Sequence, residues 1–522
     1  MPTLEWIGKE KVVNHHLEVP YCVLKRQYSY GAEGKQEADN GSENMIIHGD
    51  NLTALKSLLP RYEGRVRCIY IDPPYNTGNE NWVYNDNVND PRIRKWLGEV
   101  VGKEGEDLSR HDKWLCMMYP RLRLLQKLLA EDGVIFVSID DVEVVYLRQI
   151  MDEIFGRDRF IAQLVWKSRQ NKDNRNITNV SIDHEYVLCY GSRLRGCLRK
   201  TEQYKNPDND PRGPWVSANM AGLATAEARP NLHYDLIDPA TGINYGRPAK
   251  GWRYDKHTMA KLISENRILW PDNASGRPRK KQFLAEIGKE YTGYSSVIGE
   301  AFYTRDGNRE QTELWGKTVF DFPKNTGLLQ ELLEQATAPG DIILDSFAGS
   351  GTTAHAVLNM NKADGGSRKF ILIEMEDYAD SITAERVRRV IDGYGEEKKK
   401  VEGTGGDFSF YELGEPLMVE NSLNPTISEK EIRDYVYYTD TQQQAKAPDA
   451  EEPYFMGAHR ACAYYFYYHG GDPTVLNRDF LHKIRTEADA YVIYADQCAL
   501  SPLELEKWNI TYKKIPRDIQ GV

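Results

Sequence analysis

Short apolar runs alternate with amphipathic helical patterns in two separate blocks of the chain. In the first block, the pattern predicts strands at 44–48, 66–71, 134–139, 160–166 and 185–190, and helices at 51–59, 113–130 and 144–154. In the second block, it predicts helices at 328–336, from 352 onwards and at 379–391, and strands at 342–345 and 370–373. Strands that alternate with helices in this way are typical of a largely parallel sheet covered by helices. The sequence therefore predicts an α/β fold.

The pattern breaks down between the two blocks. Residues 191–320 are rich in Gly, Pro, Asn and aromatic residues, and the one helical pattern among them lies near 256–270, so we predict an inserted domain there. The two blocks then cover 41–190 and 321–420, after an N-terminal arm at 1–40. Aromatic and β-branched runs near the end predict a small α+β module over 421–522.

The composition is that of an ordinary globular protein, with 40% hydrophobic and 28% charged residues among 522. No stretch approaches the roughly 18–20 apolar residues of a membrane span, and the first residues do not look like a secretory signal. We therefore expect a cytoplasmic protein with no membrane segment. The seven cysteines include no C-x-x-C pair, so neither a disulfide framework nor a zinc site is predicted, and no bound metal is expected.

The charged residues are distributed unevenly along the chain, so the net charge alone is misleading. A net charge of -11 is unusual for a nucleic-acid binder, because Lys and Arg that neutralise phosphates supply much of the affinity. Residues 161–320, however, hold 25 Lys and Arg against 18 Asp and Glu, a balance of +7. The central third of the chain is therefore the predicted DNA face.

The first chemical motif is Asp72-Pro73-Pro74-Tyr75, which directly follows a buried strand. Ligands bind at the carboxyl ends of strands in open α/β sheets, and Asp72 stands at such an end. An exocyclic amine must give its two hydrogens to acceptors if its lone pair is to face an incoming methyl group. A carboxylate and a backbone carbonyl can supply those acceptors, and Tyr75 offers a flat face to a base.

The second motif is the glycine-containing turn 346–351, which follows the predicted strand 342–345 and opens a helix. It completes neither the dinucleotide fingerprint G-x-G-x-x-G nor a phosphate loop, because no Lys follows its second Gly. A helix N-terminus with free N–H groups suits the amino-acid part of a ligand. Glu374 ends the next strand, where an acid can accept hydrogen bonds from ribose hydroxyls. Together these features predict a pocket for S-adenosyl-L-methionine.

These motifs resemble the β class of DNA amino-methyltransferases, in which the catalytic half precedes the cofactor half. The resemblance is closer still to the modification (Mod) subunits of type III restriction-modification systems. It covers nearly the whole chain, through segments that include Trp6 to Lys9, His48 to Asn51, Asp72 to Gly78, Val83 to Asp86, Met117 to Arg121, Asp183 to Tyr186 and Lys513 to Ile519. It implies a circularly permuted Rossmann-like methyltransferase fold that depends on S-adenosylmethionine, with a target-recognition domain at 191–320 and a C-terminal module.

The resemblance also implies roles for individual residues. Asp72 and the Pro73 carbonyl would hold the adenine amine, and Tyr75 would stack on the flipped base. Asp rather than Ser at position 72 favours adenine N6 over cytosine N4. The implied cofactor-binding residues are Asp50, Lys324, Asn325, Asp345, Phe347, Ala348, Gly349, Ser350, Gly351, Thr352 and Glu374, with Asn325 standing where the family usually has proline.

The expected partners are double-stranded DNA, a second copy of the chain in a homodimer, and a helicase-nuclease restriction subunit. The basic residues expected to contact DNA are Arg169, Arg175, Arg193, Arg195, Arg199, Lys200, Arg277, Arg279, Lys280 and Lys281. Three alternatives stay open: a stand-alone adenine or cytosine-N4 DNA methyltransferase, a methyltransferase acting on RNA or on a protein glutamine, and a specificity protein without activity.

Overall fold

The computed structural model describes residues 3–76, 110–173, 179–288, 290–395, 400–419 and 422–519, together with positions 95 and 99. These residues form two compact units. The first consists of Met1–Leu194 and Ser295–Val522, and the second of Arg195–Tyr294. Among the helices of these residues, none is long and apolar enough to cross a membrane.

The first unit is built on one mixed sheet of eleven strands. In chain order they are β1 (Cys22–Gly31), β2 (Gly34–Gln36), β3 (Met45–His48), β4 (Val66–Ile71), β5 (Leu129–Ile139), β6 (Phe160–Trp166), β7 (Glu185–Gly191), β8 (Val297–Ile298), β9 (Ile342–Asp345), β10 (Lys369–Glu374) and β11 (Phe408–Pro416). Their order across the sheet is β8-β6-β7-β5-β4-β9-β10-β3-β11-β1-β2. The six strands from β5 to β11 in this order are all parallel, whereas β7 and β1 join the two sides antiparallel.

Helices cover the sheet and connect its strands. The α-helices of the first unit that the described residues delimit are Lys9–Val12, His15–Glu18, Asn51–Tyr62, Arg110–Leu128, Val144–Phe155, Thr304–Trp315, Thr326–Ala336, Thr352–Asp364, Glu385–Asp392, Glu429–Thr441, Arg478–Leu481 and Pro502–Lys507. A π-helical segment, Ala379–Ala384, leads directly into Glu385–Asp392, and a short 3-10 helix covers Arg157–Arg159.

The position of the site follows from the order of the central strands. β4 and β9 lie side by side in the sheet, but the chain leaves β4 towards β5 and leaves β9 towards β10 on the other side. The connections at their carboxyl ends therefore diverge and open a crevice, which is where open α/β sheets bind ligands. The strands themselves are firmly held, because Ile69, Ile71 and Leu344 are fully buried.

The structure confirms the predicted α/β class, and the bounds of β4, β6 and β9 agree with the sequence pattern. The helix predicted at 113–130 is Arg110–Leu128, and it continues through Pro120. The pattern missed β1, β2, β8 and β11, as well as the helix Thr304–Trp315. Much of the predicted N-terminal arm therefore belongs to the sheet, with β1 paired to β11.

The second unit has a small core of its own, which includes Met220, Trp252 and Leu262. Its elements are a three-stranded antiparallel sheet of Ile268–Leu269, Arg279–Phe283 and Trp215–Asn219, a pair of strands, Cys197–Leu198 and Tyr291–Thr292, the helix Lys256–Ser264, and 3-10 turns at Pro230–Leu232 and Leu284–Glu286. The unit is narrower than the predicted 191–320, because β8 pairs with β6 and so belongs to the first unit.

The last hundred residues contain a second, four-stranded sheet, in agreement with an α+β arrangement. Its strands are Phe455–His459, Cys462–Phe466, Ala490–Ala495 and Ile510–Lys514, the last three of them parallel. Short two-stranded pairs complete the first unit: Gly393–Tyr394 with Val401–Glu402, Met418–Val419 with Ser422–Leu423, and Val475–Leu476 with Gln497–Cys498.

Candidate active site

Asp72 follows the carboxyl end of β4 and is 9% exposed. Its Oδ2 lies 3.0 Å from Nζ of Lys324. Its Oδ1 is buried, and no described residue donates a hydrogen bond to it. Leaving a buried acceptor unpaired costs about 1–3 kcal/mol, so such an atom marks a place where a ligand donor fits.

The two prolines after Asp72 present carbonyl groups that differ in their partners. The Pro74 carbonyl accepts a hydrogen bond of 2.6 Å from Nε1 of Trp114, a fully buried residue of the helix Arg110–Leu128. No donor among the described residues reaches the Pro73 carbonyl. The indole thus fixes the segment through one carbonyl, and the other, next to Asp72, stays available as an acceptor.

Tyr75 joins the catalytic segment to two charged side chains. Its hydroxyl donates to Oε2 of Glu185 at 3.0 Å and accepts from Nζ of Lys324 at 2.9 Å. Burial raises the pKa of Tyr75 well above its usual value, and the carboxylate of Asp72 raises it further. Tyr75 therefore stays a neutral phenol whose hydroxyl is held by Glu185 and Lys324.

The side chain of Lys324 lies beside Asp72 and Tyr75 and is only 11% exposed. Burial alone would lower its pKa, but Asp72 and Glu185 outweigh this effect and raise the pKa, so that Lys324 stays charged. The ammonium lies 3.4 Å from Oε2 of Glu185. Two carboxylates therefore share one ammonium beside Tyr75.

The glycine turn lies at the end of the neighbouring strand, β9. Gly349 and Gly351 have φ angles of 51° and 81°, which glycine adopts without strain. A Cβ at Gly351 would stand 2.9 Å from the carbonyl oxygen of Thr383, so side chains are also excluded by space. The Glu374 carboxylate accepts hydrogen bonds from the backbone N–H groups of Gly349, at 2.7 Å, and Glu376, at 3.0 Å.

Two buried carboxyl groups frame this turn. The Asp345 carboxylate accepts from Oγ1 of Thr353 at 2.5 Å and from the N–H of Phe347 at 3.0 Å. Burial raises the pKa of Asp345 to about 7, and it raises the pKa of Glu374 to about 7 as well. Both groups therefore change charge near neutral pH.

One cavity brings most of the predicted residues together. Its lining joins Asp72 to the turn, so the two motifs, more than 270 positions apart in the chain, face the same space. The predicted residues that line it are Asp72, Lys324, Asp345, Phe347, Ala348, Gly349, Ser350 and Thr352, and they are joined by Tyr70, Phe320, Phe322, Pro323, Leu329 and Thr353.

Four predicted cofactor residues do not line this cavity: Asp50, Asn325, Gly351 and Glu374. The side chains of the first two cap helices instead. Asp50 caps the helix Asn51–Tyr62 by accepting from the N–H of Thr53 at 2.9 Å, and it lies 3.3 Å from Nη2 of Arg121. Asn325 caps Thr326–Ala336 through the N–H of Gly327 at 2.9 Å. This cap gives a physical reason for Asn at a position where the family usually has proline.

A buried ion pair connects the glycine turn to the segment that carries Lys324. Arg386 is fully buried, and its Nη1 donates to the hydroxyls of Ser350, at 3.0 Å, and Thr352, at 2.8 Å. Its Nη2 lies 3.1 Å from Oε2 of Glu310, whose Oε1 accepts from Nδ2 of Asn325 at 2.6 Å. The ion pair thus fixes the glycine turn relative to the segment that carries Lys324.

Sequence reasoning missed Glu185, Trp114, Arg386 and Glu310 as residues that build the site. Glu185 had a usable signal, since it is an acid at the very start of the buried strand β7. Trp114 and Arg386 had none, because their helical positions look like ordinary core and surface positions.

The predicted DNA contacts differ in their surroundings. In the first unit, Arg193 is exposed, and Arg169 is exposed but pairs with Asp173 at 3.1 Å. Arg175 lies outside the described residues. Of the predicted contacts in the second unit, six are wholly or partly exposed: Arg195, Arg199, Lys200, Arg277, Arg279 and Lys280.

Lys281 has a different environment from the other basic residues of the second unit. It is 4% exposed, and its Nζ contacts Asp208 and lies 3.1 Å from Oδ2 of Asp210. Its charge is therefore neutralised inside the unit, and it does not belong to the surface that could meet a phosphate.

Known proteins resemble this chain over most of its length. The profile of a family described as DNA methylase matches residues 66–385. The StyLTI type III Mod subunit of Salmonella typhimurium (strain LT2) is 33% identical over 426 residues, which cover 74% of this chain and 62% of that protein. The EcoP15I type III Mod subunit of Escherichia coli is 29% identical, with 72% of this chain and 64% of that protein covered.

The chain thus spans less than two thirds of the length of these two Mod subunits. The type II methyltransferase M.KpnI of Klebsiella pneumoniae is 34% identical over 355 residues, which cover 64% of this chain and 81% of that protein. The profile match covers more than half of the chain and contains both β4 and the glycine turn. The chain therefore belongs to the DNA methylase family.

Proposed function

We propose that this protein transfers a methyl group from S-adenosyl-L-methionine to the N6 amino group of adenine in double-stranded DNA. We further propose that it does so as the modification subunit of a type III-like restriction-modification system, after the base has flipped out of the duplex. The observation that carries the proposal is a pair of acceptors to which no described residue donates, Asp72 Oδ1 and the Pro73 carbonyl, beside the cavity that the glycine turn lines.

The two acceptors suit an exocyclic amine. An adenine amine has two hydrogens, and if both are given to acceptors, the nitrogen lone pair can point out of the plane of the ring. Asp72 carries a full negative charge next to the nitrogen, where positive charge develops as the new bond forms. Tyr75 would stack on the flipped base, whose extrusion costs a few kcal/mol.

The residues around the turn fit S-adenosyl-L-methionine. Gly349 and Gly351 keep side chains out of the space above the turn, and the helix Thr352–Asp364 directs its N-terminal N–H groups to that side, as a carboxylate requires. The Glu374 carboxylate accepts two backbone hydrogen bonds and one from the Tyr378 side chain, which leaves one of its four lone pairs for a ribose hydroxyl. When bound, the cofactor supplies a methyl group on a positively charged sulfur.

The chemistry needs no strong base. The amine nitrogen forms a bond to the methyl carbon while the carbon–sulfur bond breaks and its electron pair stays on sulfur. The nitrogen then carries an extra proton, which is acidic enough for the Asp72 carboxylate to accept. Positioning and charge placement therefore account for most of the acceleration.

The second unit, Arg195–Tyr294, is the proposed target-recognition domain, with its exposed arginines and lysines at phosphates. A homodimer and a helicase-nuclease restriction subunit are the proposed protein partners, in the cytoplasm. These assignments rest on the similarity to proteins that are named type III Mod subunits.

Methyl transfer from labelled S-adenosyl-L-methionine to unmethylated genomic DNA tests the proposal, with sequencing of the methylated positions. We expect N6-methyladenine within one short sequence motif. Asp72→Ala should reduce incorporation below detection but leave cofactor binding intact, whereas Asp132→Ala, an exposed acid near the start of β5, should behave as wild type. Label in N4-methylcytosine, or only in RNA or protein, would refute the assignment.

A further inference from the structure

Three charged side chains meet at the proposed catalytic site, but the proposed methylation chemistry uses only the carboxylate of Asp72. Asp72 and Glu185 both approach the ammonium of Lys324, with Nζ–Oδ2 and Nζ–Oε2 distances of 3.0 Å and 3.4 Å. Their side chains are 12%, 20% and 11% exposed, in the order Asp72, Glu185, Lys324. The cluster therefore has a net charge of −1 in a place that is shielded from water.

Lys324 creates a difficulty for the acceptor. An ammonium that donated to Asp72 alone would neutralise the carboxylate and compete with the adenine amine for its lone pairs. It would also oppose the positive charge that develops on the amine nitrogen during transfer. Asp72 keeps its Oδ1 for the amine, but its full negative charge is available there only if another group holds the charge of Lys324.

Glu185 has the position to do this. It is the first residue of β7 and is paired in register with Trp166 of β6, so its backbone is fixed at the edge of the site. Its Oε2 also accepts the Tyr75 hydroxyl at 3.0 Å. Lys324 Nζ, Tyr75 OH and Glu185 Oε2 thus form a closed set of contacts that does not need Asp72.

The backbone of Lys324 is fixed as well. Asn325, the next residue, caps a helix and donates to Glu310, so the backbone at Lys324 has little freedom. The side chain, by contrast, can turn its ammonium from Asp72 towards Glu185 by a small rotation, because both carboxylates are already within 3.4 Å.

We propose that Glu185 is a positioning residue that takes up the charge of Lys324 when the target base enters, and so leaves both oxygens and the full negative charge of Asp72 to the adenine amine. The inference rests on the proposed adenine methylation. In the base-bound site the ammonium pairs with Glu185 and Tyr75, and both Asp72 oxygens face the amine. The net charge of −1 then stabilises the positive charge that develops on N6.

The test is a pair of substitutions with a rescue. In Glu185→Gln, Lys324 pairs with Asp72 alone, so we expect kcat for DNA methylation to fall about 10- to 100-fold with little change in KM for S-adenosyl-L-methionine. Adding Lys324→Met to Glu185→Gln removes the competing ammonium, and kcat should rise again to within about tenfold of wild type. Glu334→Gln, an exposed glutamate of the helix Thr326–Ala336, is the matched control and should leave kcat unchanged.

The outcomes separate the two proposals. If the wild-type protein does not methylate adenine, the proposed function fails before Glu185 is tested. If it does, and Glu185→Gln is as active as wild type, the role of Glu185 is refuted. If the double variant is as slow as Glu185→Gln or slower, Glu185 serves packing and not charge, and the inference is refuted too.

Discussion

Glu374 leads to a prediction about cofactor binding that depends on pH. Its carboxyl group is 6% exposed, and burial raises its pKa from 4.5 to about 7. If the ionised carboxylate accepts a ribose hydroxyl, the cofactor binds the deprotonated protein more tightly. With a pKa of about 7, about nine tenths of the group is ionised at pH 8 and about one tenth at pH 6. We therefore expect the Kd for S-adenosyl-L-methionine to rise about tenfold from pH 8 to pH 6.

The same pKa shift acts on stability in the opposite direction. Because the pKa of Glu374 in the folded protein lies above its ordinary value, its contribution to stability is present below about pH 4.5 and is lost as the pH rises through about 7. The shift corresponds to roughly 3 kcal/mol, at 1.36 kcal/mol for each pKa unit. The midpoint of thermal unfolding of the ligand-free protein should therefore fall from pH 6 to pH 8, and this fall should be smaller in Glu374→Gln.

Calorimetric titration of wild type, Glu374→Gln and Asp345→Asn at pH 6, 7 and 8 checks the binding prediction. At pH 8, Glu374→Gln should bind the cofactor about 10- to 100-fold more weakly than wild type, since it loses a charged acceptor, and its Kd should vary less with pH. Asp345→Asn removes the other carboxyl group with a pKa of about 7. In this variant the Kd should still show the part of the pH dependence that is due to Glu374. Protonation of the cofactor itself acts on every variant alike. If the Kd of Glu374→Gln still rises tenfold from pH 8 to pH 6, the prediction is refuted.

Two further predictions concern residues that position the site. Trp114→Phe removes the donor to the Pro74 carbonyl, so we expect kcat to fall about tenfold while the Kd for the cofactor stays constant; a normal kcat in the methylation assay would contradict this. Arg386→Met leaves the Glu310 carboxylate, whose side chain is only 15% exposed, without its ion pair, which should cost roughly 3–5 kcal/mol and lower the midpoint of thermal unfolding. Adding Glu310→Leu should recover part of that loss, and a double variant less stable than Arg386→Met would contradict the pairing.

The parallel part of the fold was predictable because its strands are buried on both faces. Such strands form short continuous apolar runs, and β4 and β9 are therefore visible with correct bounds. β1 and β11 are different. They pair with each other across nearly 400 positions, and β1 contains Lys25, Arg26 and Gln27, so no local pattern shows that they join the sheet.

The same distinction applies to the site. Asp72 and Glu374 were predicted as site residues because each stands at the end of a buried strand, where topology alone brings side chains together. The contacts of Glu185 with Lys324 and of Trp114 with the Pro74 carbonyl depend on how separate elements pack, which composition and periodicity do not encode. Lys281 shows the reverse case, in which a basic cluster in the sequence contains a side chain that the fold buries.

The neighbouring positions of β4 and β9 have a consequence for biosynthesis. The strand that leads to Asp72 is complete at residue 71, but the strand beside it begins only at residue 342. At about 5–20 residues per second, a ribosome needs roughly 15–55 s to make the intervening chain. Throughout that interval one edge of a hydrophobic strand lacks its native partner, so the nascent protein has a long period in which a chaperone would have to protect it.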